Sequence, residues 1–158
     1  TVGAAGRDAS FARNWAEIEN MGLRRGAIHV FSLCAPAEAQ AGAFVATVPR
    51  DPEALPAAID LAFDQGCPAR PSREVVLTEI RRLAATMETH SGKPAILRIT
   101  PEFEAQYQVG SAIPRPLWST GFFRAPGYFA RPWAMWQSST IRRIDGVERP
   151  VNWNVVAP

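Results

Sequence analysis

Helical and extended patterns alternate along the first two thirds of the chain, and this alternation constrains the fold more than any other feature. Apolar residues at helical or strand spacing predict helices over residues 10–20, 36–48 and 72–90, and strands over residues 25–31, 55–63 and 93–100. A short helix is expected from Pro101. Alternating strands and helices favour a parallel sheet covered by helices.

The pattern changes after Gly110, where prolines interrupt short apolar runs over residues 117–123 and 133–137. Residues 141–155, which contain Asp145-Gly146, predict a terminal hairpin. We therefore expect a single α/β domain over residues 1–158, a TIM-like (β/α) barrel with an irregular, β-rich last third. In such barrels the functional site lies at the C-terminal rim of the strands.

The predicted strand over residues 55–63 carries one carboxylate near its end. Leu55, Ile59, Leu61 and Phe63 share one parity, so Asp60 and Ala62 point together to the other side. Glycoside cleavage usually needs two carboxyl groups, and an alanine stands two residues after the first. The residues expected at the rim are His29, Asp60, Arg98, Trp118, Trp136, Gln137 and Asn152.

Aromatic residues gather in the last third of the chain, which suits stacking on the faces of sugars. They are Trp118, Phe122, Phe123, Tyr128, Trp133, Trp136 and Trp153. Any one of them is better explained as a core residue, because Trp and Phe fill protein interiors. Only the group favours a carbohydrate site.

Charge and hydropathy exclude two classes of partner. The 17 basic and 15 acidic residues give a net charge of +2 and are scattered, whereas nucleic-acid binding needs a concentrated basic face. No apolar run approaches the roughly 18 residues that a membrane-spanning helix requires. The sequence predicts neither a nucleic-acid partner nor a membrane span.

Cys34 and Cys67 are the two cysteines, and each follows a predicted strand in a proline-containing stretch. If those strands are neighbours, a disulfide is geometrically reasonable, and it would imply an oxidising compartment. The alternative is two unrelated thiols. Neither cysteine has a second Cys or His at metal-ligand spacing, so we predict no metal and no cofactor.

Several segments, in order, resemble glycoside hydrolase family 25, the Chalaropsis-type lysozymes (muramidases) that cut peptidoglycan. Residues 8–15 resemble the family's D-x-x-F-x-x-N-W helix start, and residues 22–31 resemble its G-L-x-x-G-A-Y-H-F-F strand. Residues 55–62 are similar to the L-P…D-x-E strand. The closing P-L-W, W-x-x-W-Q and V-D-x-N segments resemble residues 116–118, 133–137 and 151–154.

The resemblance implies a (β/α) barrel whose first strand, first helix and most of whose second strand have no counterpart before Thr1. It also implies altered chemistry at five positions, which are Val2 for Glu, Ile28 for Tyr, Ala62 for the general-acid Glu, Arg98 for Tyr and Asn152 for Asp. Asp60 is the one expected acid that survives. Losing a general acid typically forfeits a rate contribution of about 10²–10⁴-fold.

Three hypotheses follow. The first is a domain that binds bacterial cell-wall glycan but is catalytically impaired, located in the cell envelope or secreted. The second is an active muramidase, or an engineered knockout, that hydrolyses the MurNAc–GlcNAc β-1,4 bond. The third is a protein-interaction module in which a partner or a second copy covers the absent N-terminal strands, with Val2 and Ile28 forming a dry contact patch.

Overall fold

A computed structural model describes residues 1–122 and 124–158, so Phe123, the end of one predicted run, lies outside the described residues. The elements are α1 (Phe11–Asn20), β1 (Ile28–Val30), α2 (Ala37–Val45), β2 (Ala58–Leu61), α3 (Arg73–Ser91), β3 (Ile96–Ile99), α4 (Pro101–Tyr107), α5 (Val109–Ala112), β4 (Leu117–Thr120), β5 (Met135–Arg142) and β6 (Val151–Val156). Among the described helices, none is long and apolar enough to cross a membrane.

The six strands form one mixed sheet in the order β1-β2-β3-β4-β5-β6. Strands β1 to β5 are parallel, and β6 runs antiparallel to β5. The described residues show no pairing between β1 and β6, so the six strands form a half-barrel, and the full TIM-like barrel stays a prediction. Residues 1–3 lie beside β1, where Val30 N donates to Thr1 O at 2.9 Å and Val2 bridges Val30 in parallel.

One side of the sheet, here called the helix face, is packed against the helices. Ile59 and Leu61 of β2 and Leu97 and Ile99 of β3 have no exposed surface and belong to the core cluster with residues of α2, α3 and α4. Because successive strand residues point to opposite sides, the residues between them face the other side, here called the open face. As the sequence predicts, Ile59 and Leu61 therefore face one side of the sheet and Asp60 faces the other.

The longest helix, α3, agrees with its predicted extent. It begins after Ser72 and ends at Gly92, whose φ of 71° is the left-handed conformation common after a helix. Ile80, Leu83 and Met87 of this helix are fully buried, as their spacing predicts.

Two apolar residues within the predicted helix 36–48 and the predicted strand 55–63 are exposed. Leu55 is 39% exposed because the chain before β2 forms a loop there, in which Leu55 N donates to Arg25 O at 2.7 Å. Ala39 is exposed because the buried stripe of α2 passes through Gln40 instead. The terminal hairpin exists, but its strands extend from Met135 to Val156 with irregular register, beyond the predicted residues 141–155.

Candidate functional site

The strand register brings polar side chains from four neighbouring strands to the open face. Asp60 of β2 pairs with Arg98 of β3, and Arg98 pairs with Trp118 of β4. Thr120, which lies two residues after Trp118 on the same side of β4, pairs with Gln137 of β5. Residues paired in this way project to the same side of a sheet, so these side chains form a continuous row.

The row is centred on an ion pair between Arg98 and Asp60. Arg98 Nη1 donates to Asp60 Oδ1 at 2.5 Å, and each side chain is 18% exposed. Arg98 also donates through Nε and Nη2 to Gln137 Oε1, at 3.3 and 3.1 Å. The guanidinium therefore ties β2 to β5, and Asp60 Oδ1 is the acceptor in this contact, because a guanidinium has only donors.

Trp118 extends this row towards the last strand. The Arg98 guanidinium lies 5.7 Å from the centre of the Trp118 ring, within cation–π range. Trp118 Nε1 donates to Asn154 Oδ1 at 3.0 Å. The indole is thus held from two sides, with its remaining surface only partly buried.

Asn154, not the predicted Asn152, joins this network. Asn152 is exposed, and the described residues show no hydrogen bond from it to Trp118 or Arg98. Asn154 pairs with Gln137 across the hairpin, so it lies beside the row. The signal was present in the sequence, because the segment that resembles V-D-x-N contains both asparagines.

Ala62 immediately follows β2 and is partly buried. Its methyl group can neither donate nor accept a proton. Among the described strand residues that register places on the open face, Asp60 carries the one carboxylate. Of the two carboxyl groups that glycoside cleavage usually needs, these strands therefore supply one.

His29 lies on the helix face and not beside Asp60, since it pairs with the fully buried Ile59. Its Nε2 lies 3.0 Å from Gln40 Oε1, and its Nδ1 lies 2.7 Å from Thr1 Oγ1. Burial lowers the pKa of His29, and the hydrogen bond to Gln40 offsets this only in part. The structure thus places His29 in the core, away from the other residues predicted for the site.

Gln40 is the residue that sequence reasoning missed here. Its Oε1 also accepts from Ser32 N at 2.8 Å, and its amide donates to Ser32 O and Ala35 O. A fully buried glutamine with these partners fixes the loop after β1. A polar residue within a buried helical stripe is the signal that could have found it.

Trp136 is also displaced from the predicted site. It pairs with the buried Ser119, on the side of the sheet opposite Gln137. Its Nε1 donates to Gly121 O at 2.7 Å, and its ring centre lies 6.1 Å from that of Trp133. Adjacent strand residues point to opposite sides, so Trp136 and Gln137 could not both face Asp60.

The other predicted aromatic residues are dispersed. Tyr128 Oη donates to Ile99 O at 2.7 Å and accepts from Thr120 N at 2.8 Å, linking the ends of β3 and β4. Trp153 is 45% exposed with Arg142 over its ring, and Phe122 is 56% exposed. Among the aromatic residues that the structure describes, Trp118 is the one whose ring lies against the Arg98 guanidinium.

Cys34 and Cys67 form a disulfide with a Cα–Cα distance of 5.8 Å. It joins the loops that follow β1 and β2, the two neighbouring strands expected from the sequence. In the described part of the chain, no group of three or more His, Cys, Asp or Glu side chains is arranged to hold a metal ion.

Comparison with known proteins gives a consistent family. The model of the glycosyl hydrolases family 25 matches residues 1–147. The uncharacterized protein YegX of Escherichia coli strain K12 is 30% identical over 149 residues, which is 94% of this chain and 53% of that protein. YegX of strain CFT073 gives the same values. The chain thus spans about half the length of these curated relatives.

Solved structures agree with the family match. A family 25 glycosyl hydrolase from Bacillus anthracis has a TM-score of 0.89 and 30% identity, covering 99% of this chain and 75% of that one. A bacterial lysozyme from Streptomyces coelicolor has a TM-score of 0.85 and 22% identity, covering 99% and 78%. The second likeness is one of fold.

Proposed function

Since the chain belongs to family 25 of the glycosyl hydrolases, the lysozyme-like muramidase family, we propose that its open face binds bacterial cell-wall glycan without efficient cleavage. The family supports the substrate class, and the residues at the rim support the impairment. The carrying observation is the pairing of Asp60 with Arg98 beside an alanine at position 62.

The impairment rests on proton supply. Cleavage requires a carboxyl group that protonates the glycosidic oxygen, usually with a raised pKa. Ala62 has no such group, and Asp60 is held by a guanidinium as an acceptor. The remaining contribution of Asp60 is electrostatic, or it orients Arg98.

Binding rests on the groups next to this pair. Trp118 offers a partly exposed indole beside the amides of Gln137 and Asn154, a combination that suits one apolar sugar face and neighbouring hydroxyl groups. Arg98 keeps hydrogen-bonding capacity beyond its bonds to Asp60 and Gln137, because a guanidinium has five N–H donors.

The same proposal places the protein in the bacterial envelope or outside the cell. Peptidoglycan is accessible there, and the Cys34–Cys67 disulfide suits an oxidising compartment.

Two assays on one preparation test the proposal. Purified protein is sedimented with insoluble peptidoglycan, and release of reducing sugar is followed in parallel. We expect saturable co-sedimentation and a rate at least about 10²-fold below that of an ordinary muramidase. A comparable rate of wall clearance would refute the impairment, and absence of co-sedimentation would refute the binding.

The second candidate is a muramidase that is active or was disabled by the substitution at position 62. The 30% identity to a family 25 hydrolase over almost the whole chain favours keeping it in view. Ala62→Glu separates the two, with Ala62→Gln as the matched control of the same length without the acid. Gain of reducing-sugar release in the Glu variant alone supports a repairable enzyme, whereas no gain supports a binding protein.

The third candidate is a protein-interaction module. Val2 is 50% exposed and Ile28 is 43% exposed, on adjoining segments at one edge of the sheet. Val2→Ser with Ile28→Thr would abolish capture of a protein partner, or self-association in sedimentation velocity, if this patch is used. Unchanged association would remove the hypothesis.

A further inference from the structure

The Cys34–Cys67 disulfide fastens a loop that borders the open face. Residues 62–71, here called the rim loop, begin at Ala62 and connect β2 to α3. Cys67 ties this loop to Cys34, in the loop after β1. Both loops leave the C-terminal ends of parallel strands, the end at which barrel sites lie.

Noncovalent contacts hold only parts of the rim loop. At its start, the ring of Phe63 packs against Phe103 with centres 5.1 Å apart. Arg70 lies over Phe63 at 4.2 Å and donates to Cys67 O at 2.9 Å. Between these points, residues 64–66 are exposed, and the disulfide is the covalent attachment of that stretch.

The two cysteine residues differ in exposure. Cys67 is 4% exposed, whereas Cys34 belongs to an exposed position beside a cleft of about 320 Å³. That cleft is lined mainly by apolar side chains, including Leu33, Pro36 and Val75. Cys34 is therefore the side of the bridge that faces solvent, and the positive charge of Arg70 lies beside the backbone oxygen of Cys67.

We propose that this disulfide is a reducible clamp on the glycan-binding face, opened by an external dithiol that attacks Cys34. The thiolate forms a bond to Cys34 Sγ, the Cys34–Cys67 bond breaks, and Cys67 leaves as a thiolate. The second thiol of the reductant then displaces Cys34, so the reductant becomes a disulfide. The protein gains two electrons and the two protons. Reduction frees the rim loop, and its effect on glycan affinity rests on the proposed function.

Two measurements need no glycan: which of the two cysteines the reductant attacks, and whether reduction releases the rim loop. Native protein is treated with the monothiol glutathione and acid-quenched, and peptides are mapped by mass spectrometry. We expect at least about tenfold more adduct on Cys34 than on Cys67. Amide hydrogen exchange in residues 64–67 should accelerate at least about tenfold after native reduction by dithiothreitol. Adduct on Cys67, no reduction without denaturant, or unchanged exchange would each overturn the clamp.

Co-sedimentation with peptidoglycan then tests its consequence. Reduced protein should bind at least about fivefold more weakly than oxidised protein, and Cys34→Ser/Cys67→Ser should bind weakly with or without dithiothreitol. Equal affinity in both redox states overturns the functional part. If the oxidised protein does not bind, the proposed function fails, while the exchange and adduct measurements still decide the clamp.

Discussion

The ion pair at the centre of the open face makes a quantitative prediction about coupling. Arg98→Met removes the guanidinium, Asp60→Asn removes the carboxylate charge with little change in shape, and the double variant removes both. The two charged groups are in direct contact at 2.5 Å and are each 18% exposed. Their energetic coupling should therefore be well above that of a surface pair.

The magnitude follows from two opposing effects. At an effective dielectric constant of about 20, two unit charges about 4 Å apart attract by about 4 kcal/mol. Desolvation of both groups offsets part of this attraction. We expect Arg98→Met to cost about 2–3 kcal/mol of unfolding free energy, since it leaves a partly buried carboxylate unpaired. The coupling from the double-mutant cycle should be about 2 kcal/mol.

Urea unfolding of the wild type and the three variants measures this coupling, provided that the slopes of the four transitions agree. The matched control is the cycle of Arg82 with Glu79, a pair at 3.3 Å in which Arg82 is 72% exposed. That pair should give at most about 0.5 kcal/mol. A coupling between Arg98 and Asp60 no larger than this control would refute the assignment of the pair as the organising contact of the open face.

Three further outcomes are expected. Because burial raises the pKa of Glu104, its charge destabilises the fold as pH rises through that pKa, so Glu104→Gln should raise Tm at pH 7 and leave it unchanged near pH 4. The lowered pKa of His29 means that the unfolded chain takes up the proton first, so the urea midpoint should fall as pH drops below 6.5, less steeply in His29→Gln. Trp118→Ala should weaken co-sedimentation with peptidoglycan about tenfold, and Asn154→Ala, which loses one hydrogen bond, about fivefold. These predictions would be contradicted, in the same order, by a gain in Tm of Glu104→Gln that appears only at low pH, by a urea midpoint that does not change with pH, and by unchanged co-sedimentation of the Trp118 and Asn154 variants.

Periodicity predicts the elements of this fold well because local packing decides them. The α3 helix has its buried stripe and its glycine stop in the sequence itself, and the structure begins and ends it within a residue or two of the prediction. The alternation around Asp60 likewise indicates which residues share a side of β2. These inferences need only one element at a time.

Membership of the site depends instead on register between elements. Parity excludes Trp136 and Gln137 from sharing a side, but only the pairing of Trp136 with Ser119 shows which of them faces Asp60. In the same way, His29 is excluded by its pairing with Ile59. Sequence alternation does not predict that Asn154 and not Asn152 lies beside Trp118, because the hairpin of β5 and β6 has an irregular register.

The two faces of the sheet differ in how they depart from the family pattern. Ile28 and Arg98 stand where the resemblance implies tyrosines, and their register partners Ala58 and Asp60 place both on the open face. His29, which agrees with the pattern, lies on the helix face, where a substitution would disturb Gln40 and the core. Substitutions at these two open-face positions leave the packing of the helix face in place, whereas a substitution at His29 removes its hydrogen bonds to Gln40 and Thr1. The placement of Ile28 and Arg98 on the open face is what a retained scaffold with changed chemistry predicts, and restoring the acid at position 62 alone would leave the ion pair of Asp60 with Arg98 in place.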